Sequence, residues 1–477
     1  MFMLHSFLTL IVKKNLGELR MKKYIALSAI TVGLLSSVSL NAADDLESMF
    51  KDGKVSGQIR MFYIDREYQG GSGADTHRDA TAIGGHLKFV TDDYKGLNLG
   101  AAFYTTNQVD LNQHGTEDPS LLGSKNESYS VLGEAYVEYK LSNTALKGGR
   151  LKYSSPMMGA DDARMLPNLF EAYVITNKDI ANTTISISHV TKFSQGSFGR
   201  VYQANKNAAN AILASTAGYS AINSDPVDSG KFEDMGTYSV GKSTSGVTVG
   251  SISYKDDNFQ VNLYDYYASD IMNTIYVDAS YKITSGDFKP FISAQVIKQD
   301  DIGDAFINKG KGFSGDGSID SLFIAGKIGA KIAGFTTYIA YSETSDNTAN
   351  EKAAGGYANA IISMWGGMPA YTQGMVTRHM FLAGTKATKV VGSYSFKEQG
   401  VNLSATAYYA SFDMDKNSGY GVARTAYEPG FDIKYSPSAV KNLQLRFRGN
   451  FPRNFYDGGN NTDTGWNEYR LIANYNF

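Results

Sequence analysis

Polar and apolar side chains alternate at the carboxyl end of the chain. In residues 467–477, NEYRLIANYNF, the positions Tyr469, Leu471, Ala473, Tyr475 and Phe477 share one face. Glu468, Arg470, Asn474 and Asn476 share the other, and only Ile472 breaks the rule. A period of two is that of a strand with one oily and one wet face. Its length suits a tilted strand crossing about 25 Å of hydrocarbon. Comparable runs recur at 55–64, 81–90, 97–106, 131–141, 144–153, 169–176, 183–193, 247–255, 259–268, 274–282, 288–298, 322–331, 335–343, 380–396, 401–412, 430–435 and 443–451, which makes eighteen with the terminal one.

The connections carry as much information as the runs. Every even-numbered run except the last is followed by a turn of a few residues, such as Ser142-Asn143 or Ser436-Pro437-Ser438. Odd-numbered runs are followed by long connections centred near residues 72, 117, 160, 220, 310, 360, 420 and 459, with Ser269-Asp270 the one short exception. The pattern predicts an all-β fold: a transmembrane antiparallel β-barrel of about 18 strands, with short periplasmic turns and long extracellular loops. Pairing of the last strand with the first would remove the sheet edges that so strand-rich a chain could not safely expose. Within the longest loop, 194–246, the alanine-rich stretch 204–221 predicts some helix.

Composition agrees and excludes alternatives. Tyr 32 and Phe 25 against Trp 2, with Gly 49, is aromatic- and glycine-rich. With no cysteine, the chain has no disulfide framework, thiolate zinc site or thiol chemistry. A formal charge of −2 gives no basic bias toward nucleic acid. No mature stretch reaches the roughly 18 continuous apolar residues of a membrane helix, whereas strand alternation averages to neutral hydropathy.

The amino end reads as an address. Met21-Lys22-Lys23 is basic, 24–40 is apolar, and Asn41-Ala42-Ala43-Asp44 supplies small residues, so 21–42 is a signal peptide with cleavage after Ala42 or Ala43. Residues 1–20 read as an over-extended start, a true extension being the alternative. Residues 43–53 are a short periplasmic segment and 54–477 the barrel.

Residues 149–173, GRLKYSSPMMGADDARMLPNLFEAY, resemble the constriction-loop region of the OprD-like outer-membrane porins of Gram-negative bacteria, through Asp161-Asp162, Arg164-Met165-Leu166-Pro167 and Phe170. The resemblance extends to the strand count, the signal peptide and the terminal Phe477. It implies an 18-stranded barrel, monomeric or a homotrimer, with a loop folded into a narrow channel and a row of basic side chains on the wall. Such porins pass ions and small hydrophilic solutes, often carboxylate-bearing or amino-acid-like. Asp161, Asp162 and Arg164 would then belong to the constriction loop.

Face assignment supplies a basic row independently. If apolar positions face lipid, Arg60, Lys88, Lys434, Arg446, Arg448 and Arg470 face the lumen, beside Asp432 and His86. Closure places the last three strands beside the first two, which gathers these cations on one stretch of wall. Glu134, Glu138 and Asp278 also face inward, and with Asp161 and Asp162 are expected to form an acidic wall opposite, setting a transverse field. Gly148-Gly149 interrupts the alternation as a bulge would, so Lys147 and Arg150 could face either way. Pairing that merely holds the wall is the plain alternative for any single charge.

No cofactor is expected. The mature histidines are His77, His86, His114, His189 and His379, and neither a GxSxG elbow nor HExxH occurs. The segment 413–419 begins like a calcium loop but lacks glycine at its sixth position and has Arg424 where the bidentate glutamate belongs. An adhesin or receptor built on a plugged barrel is the competing reading, with Trp365 and Tyr371 as loop contacts or interfacial aromatics. The expected surroundings are outer-membrane lipid and lipopolysaccharide, small hydrophilic solutes, and the barrel-assembly machinery reading the strand that ends in Phe477.

Overall fold

The computed structural model describes residues 45–70, 77–111, 117–123, 126–197, 229–304, 318–353, 358–367, 369–418, 420, 422–456 and 463–477. The signal peptide expected at 21–42, the over-extended start expected at 1–20 and the alanine-rich stretch 204–221 lie outside the described residues.

Eighteen long strands follow one another: β1 (Lys54–Gly70), β2 (His77–Val90), β3 (Leu97–Gln108), β4 (Tyr129–Leu141), β5 (Thr144–Leu151), β6 (Leu169–Asn177), β7 (Thr183–Ser194), β8 (Val247–Lys255), β9 (Phe259–Ala268), β10 (Met272–Lys282), β11 (Lys289–Asp301), β12 (Asp320–Ile332), β13 (Phe335–Thr344), β14 (Lys386–Ser395), β15 (Leu403–Met414), β16 (Arg424–Tyr435), β17 (Leu443–Asn450) and β18 (Asp463–Asn476). Each pairs antiparallel with its sequence neighbours. The ring closes where β1 pairs β18, from Gln58 opposite Asn476 to Gly70 opposite Thr464. Gly57 and Phe477 complete the seam by exchanging backbone hydrogen bonds of 2.8 and 3.1 Å. A helix, Leu46–Lys51, capped by Asp45, occupies the segment before β1.

The two faces of the wall differ as the alternation requires. Ile59, Leu87, Ile187, Ile328 and Leu471 are all more than half exposed. A band of such residues around the barrel would be an aggregation surface in water and is a lipid contact in a membrane. The packed core is therefore not in the wall. It lies inside the extracellular half of the barrel, where Met157, Phe193, Met235, Ile361, Trp365, Phe381, Phe412 and Trp466 form one buried cluster of loop and inward strand residues.

Two departures from the alternation have local causes. The run expected at 380–396 becomes strand only from Lys386, because Met380, Phe381, Leu382 and Ala383 are buried in that core. Their apolar character serves packing against rings such as Phe323, 5.2 Å from Phe381, and not lipid contact. The bulge expected at Gly148-Gly149 is absent, since β4 and β5 pair in unbroken register. It lies instead in β4, where Gly133 is the extra residue opposite Ala102/Phe103. A Cβ on Gly133 would fall 2.5 Å from Leu169 and 2.6 Å from Tyr104. The bulge turns Val131 inward while keeping Glu134 and Tyr136 inward as well.

Candidate functional site

Strands β16, β17, β18 and β1 stand side by side, so their inward positions make rows across the wall. One row runs Asp432, Arg448, Arg470, Ile64; the next, toward the periplasm, holds Lys434 and Arg446. Arg446 grips Asp432 with two nitrogens, Nε to Oδ1 at 2.7 Å. Arg448 Nε and Lys434 Nζ each lie 3.8 Å from the same carboxylate. On β1, Arg60 Nε donates to Asn474 at 2.8 Å. Arg60, Lys434, Arg446, Arg448 and Arg470 thus share one stretch of wall. Lys88 stands apart, its Nζ 2.7 Å from Glu134.

The segment 152–168 between β5 and β6 folds into the lumen and docks on this wall. Arg60 Nη1 reaches Asp162 Oδ1 at 2.6 Å, and Lys152 Nζ reaches Oδ2 at 2.6 Å. Burial pushes the Asp162 carboxyl up, but Arg60 and Lys152 outweigh it and hold it below the usual carboxylate range. Arg164 is fully buried, its Nη2 3.2 Å from Glu468 and its Nε 3.2 Å from Ser120. Glu468 also takes Arg66 at 3.1 Å and Arg470, and Arg66 reaches Asp118 at 2.6 Å. This charged cage, its side chains buried, holds the loop. Sequence reasoning missed Glu468 as its centre because alternation gives a face and not a partner.

A second segment, 345–385 between β13 and β14, folds in from the other side through its described residues 358–367 and 369–385. Trp365, expected as a partner contact or an interfacial aromatic, is buried in the lumen and donates its Nε1–H to Met235 O at 3.2 Å. Tyr371 likewise points into the channel, its hydroxyl 3.3 Å from Ala294 O. The two segments meet where Gly367 N donates to Asp161 at 3.1 Å. Gly367 has φ +78, and a Cβ there would fall 2.2 Å from Pro156 O, so the close approach needs glycine. Burial raises Asp161 above the usual range against the opposing pull of Arg378 and the Gly367 amide. Glu428 on β16 anchors this segment by accepting from Met375 N at 2.7 Å and Thr377 Oγ1 at 2.5 Å.

Between the two segments and the wall lies a cavity of about 590 Å³. Six cationic side chains line it (Arg164, Lys327, Arg378, Lys389, Arg448 and Arg470) against three carboxylates, Asp161, Asp162 and Asp432. Lys327, Lys389 and Arg378 were not anticipated. The first two were readable: Leu322, Ile324 and Ile328 face lipid, which turns Lys327 inward, and Val390 does the same for Lys389. Arg378 lies in a loop and has no periodic signal.

The expected acidic wall does not form. Glu134 also accepts from Tyr104 at 2.7 Å, Glu138 meets Lys140 at 3.3 Å, and Asp278 takes Asn262 Nδ2 at 3.1 and 3.2 Å. Neighbouring strands are about 5 Å apart, so an inward carboxylate meets a partner beside it long before it meets the far wall. The ambiguous pair divides. Lys147 faces inward with its Nζ 3.8 Å from the Tyr136 ring centroid. Arg150 packs on Phe232 at 4.3 Å and donates to Leu132 O at 3.3 Å. Among the described residues no cluster of metal-binding side chains occurs.

A closed antiparallel barrel with a lipid-facing outer wall and a charged eyelet built from infolded loops is an outer-membrane porin. The chain belongs to the OprD family: the model of "outer membrane porin, OprD family" matches residues 47–477. Porin D of Pseudomonas aeruginosa is 22% identical over 451 residues, covering 90% of this chain and 92% of that protein. The crystal structure of Pseudomonas aeruginosa OccK9 (OpdG) superposes with a TM-score of 0.69 at 20% identity, covering 90% of this chain and 99% of that one. That of Pseudomonas aeruginosa OpdK with vanillate gives 0.65 at 16%, with the same coverage.

Proposed function

We propose that this porin passes small hydrophilic solutes bearing a carboxylate, selected at the eyelet by the cationic row. The observation that carries the reading is the lining, six cationic side chains to three anionic, with each of the three carboxylates already held by a neighbour. From the eyelet toward the periplasm Arg448 and Arg446 follow one another at two-residue spacing on β17, about 7 Å apart, with Lys434 beside Arg446. A carboxylate can exchange from one guanidinium to the next, which keeps binding strong enough to enter and weak enough to leave. OpdK, whose structure contains vanillate, is a fold relative in keeping with that chemistry.

The role is that of a channel, without catalysis. Lipid and lipopolysaccharide would surround the apolar wall. The seam strand ending in Phe477 would be the segment offered to the assembly machinery, in a monomer or homotrimer.

Planar-bilayer recording across a salt gradient tests selectivity. The wild type should show discrete ohmic steps and an anion-selective reversal potential. Arg446→Gln with Arg448→Gln should move that potential toward cations. An unmoved potential would return these arginines to wall-holding.

A further inference from the structure

Two lysines in the eyelet stand outside the arginine row. Lys327 on β12 is opposite Ala340 on β13, and Ala340 is opposite Lys389 on β14. The two ammonium-bearing positions therefore sit at one level, separated by a single strand, their backbones about 10 Å apart. Between them Ala340 contributes only a methyl group.

Among the described residues neither ammonium is in an ion pair. Lys327 lies over aromatic faces, 4.2 Å from the Tyr371 centroid and 5.5 Å from that of Tyr338. Lys389 lies 5.0 Å from the Tyr408 centroid and donates one hydrogen to Gln373 O at 2.6 Å. Ring faces hold a cation in place without cancelling its charge or using up its N–H donors. One carboxylate acts on each of them through space, and its hydrogen bonds go to other groups. Asp278, near Lys327, accepts twice from Asn262. Glu428, near Lys389, accepts from Met375 N, Thr377 and Tyr408. The two lysines also repel one another. Two like charges held at one level, neither in contact with a carboxylate among the described residues, are a cost to the empty channel. A ligand with two separated negative groups relieves that cost, and a monoanion relieves only part of it.

We propose that Lys327 and Lys389 form a two-ammonium subsite that makes the channel prefer short-chain dicarboxylates over monocarboxylates. The proposal rests on the carboxylate reading of the eyelet and narrows it. Tyr371 and Gln373 belong to the infolded segment 345–385, so that segment positions both ammonium groups from above while the strands fix their spacing from behind.

The test compares block of the single-channel chloride current by succinate and by butyrate. In the wild type, succinate should block at a concentration about tenfold lower than butyrate. Lys327→Met with Lys389→Met keeps the stems and removes both charges. It should bring succinate to within about twofold of butyrate, because succinate block loses both ammonium contacts and so weakens much more than butyrate block does. Lys327→Arg with Lys389→Arg should keep the preference. Equal block by the two acids in the wild type, or a preference that survives the double methionine variant, overturns the subsite and leaves the carboxylate reading standing. No block by either acid in the wild type overturns the carboxylate reading and the subsite with it. Should the double variant fail to insert, the wild-type ratio decides, since a ratio near one is already fatal.

Discussion

Two segments enter the same lumen and are anchored by opposite chemistry. Segment 152–168 is held by ions: Arg164 enters a fully buried cage where Glu468 also meets Arg66 and Arg470, and Asp118 completes the set. Segment 345–385 is held mainly by neutral donors and oil. Glu428 accepts from the Met375 amide, the Thr377 hydroxyl and the Tyr408 hydroxyl, while Ile361, Ile362 and Trp365 pack into the buried core. Buried charges tolerate the loss of one partner poorly, because the remaining charge is left without solvent. A hydrogen-bonded carboxylate surrounded by neutral donors can be replaced by an amide at lower cost. The two anchors should therefore fail differently.

The largest effect is expected from Glu468→Gln. It leaves three guanidiniums facing an uncharged group, at a cost of about 3–5 kcal/mol. That exceeds what a single loop can absorb, so segment 152–168 should leave the wall. Single-channel recording should show larger and heterogeneous steps. Glu428→Gln retains one acceptor oxygen and should cost about 1–2 kcal/mol. Its steps should stay uniform and near the wild-type size. Equal disruption by the two variants would erase the distinction between the anchors.

The barrel was legible because its physics is local and repetitive. Ile59, Leu87, Ile328 and Leu471 announce the lipid face one residue at a time, and the connection lengths announce which side of the membrane each end occupies. The eyelet was half legible. Arg448 and Arg470 follow from parity alone, and Lys327 and Lys389 could have been found by the same rule. Partners were not legible, because Glu468 and Arg164 are 304 residues apart in the chain, and only the docking of the loop joins them. Met380 to Ala383 and Trp365 misled because an apolar loop residue that fills the lumen looks, in sequence, like one that touches lipid or a partner. The same blindness produced the expected acidic wall, since parity places a carboxylate inside without saying that a neighbour has already taken it.

The smallest effect, and the finest test of the two-segment contrast, is in pH. Asp161 and Asp162 are adjacent but shifted in opposite directions. Asp161 faces the neutral-donor segment and is raised by burial. Asp162 feels burial too but is lowered on balance by Arg60 and Lys152. The signs separate their consequences. A raised carboxyl accepts its proton while the pH is still above the ordinary aspartate value of about 4, so acidification first removes one negative charge from the eyelet. The ion pairs of Asp162 remain intact through that range. A lowered carboxyl contributes docking free energy that is fully present above its unfolded value and is lost as pH falls through the folded one. Acidification of wild-type channels should therefore increase anion selectivity first, with step size unchanged, and release segment 152–168 only at lower pH. Asp161→Asn should show the first state already at neutral pH and leave the second transition in place. Asp162→Asn should give the enlarged, unsteady steps at neutral pH, milder than Glu468→Gln because Lys152, one of its two partners, keeps access to water. A single transition in which selectivity and step size change together would mean that the two aspartates act as one unit, and that the ionic and neutral anchors are not independent.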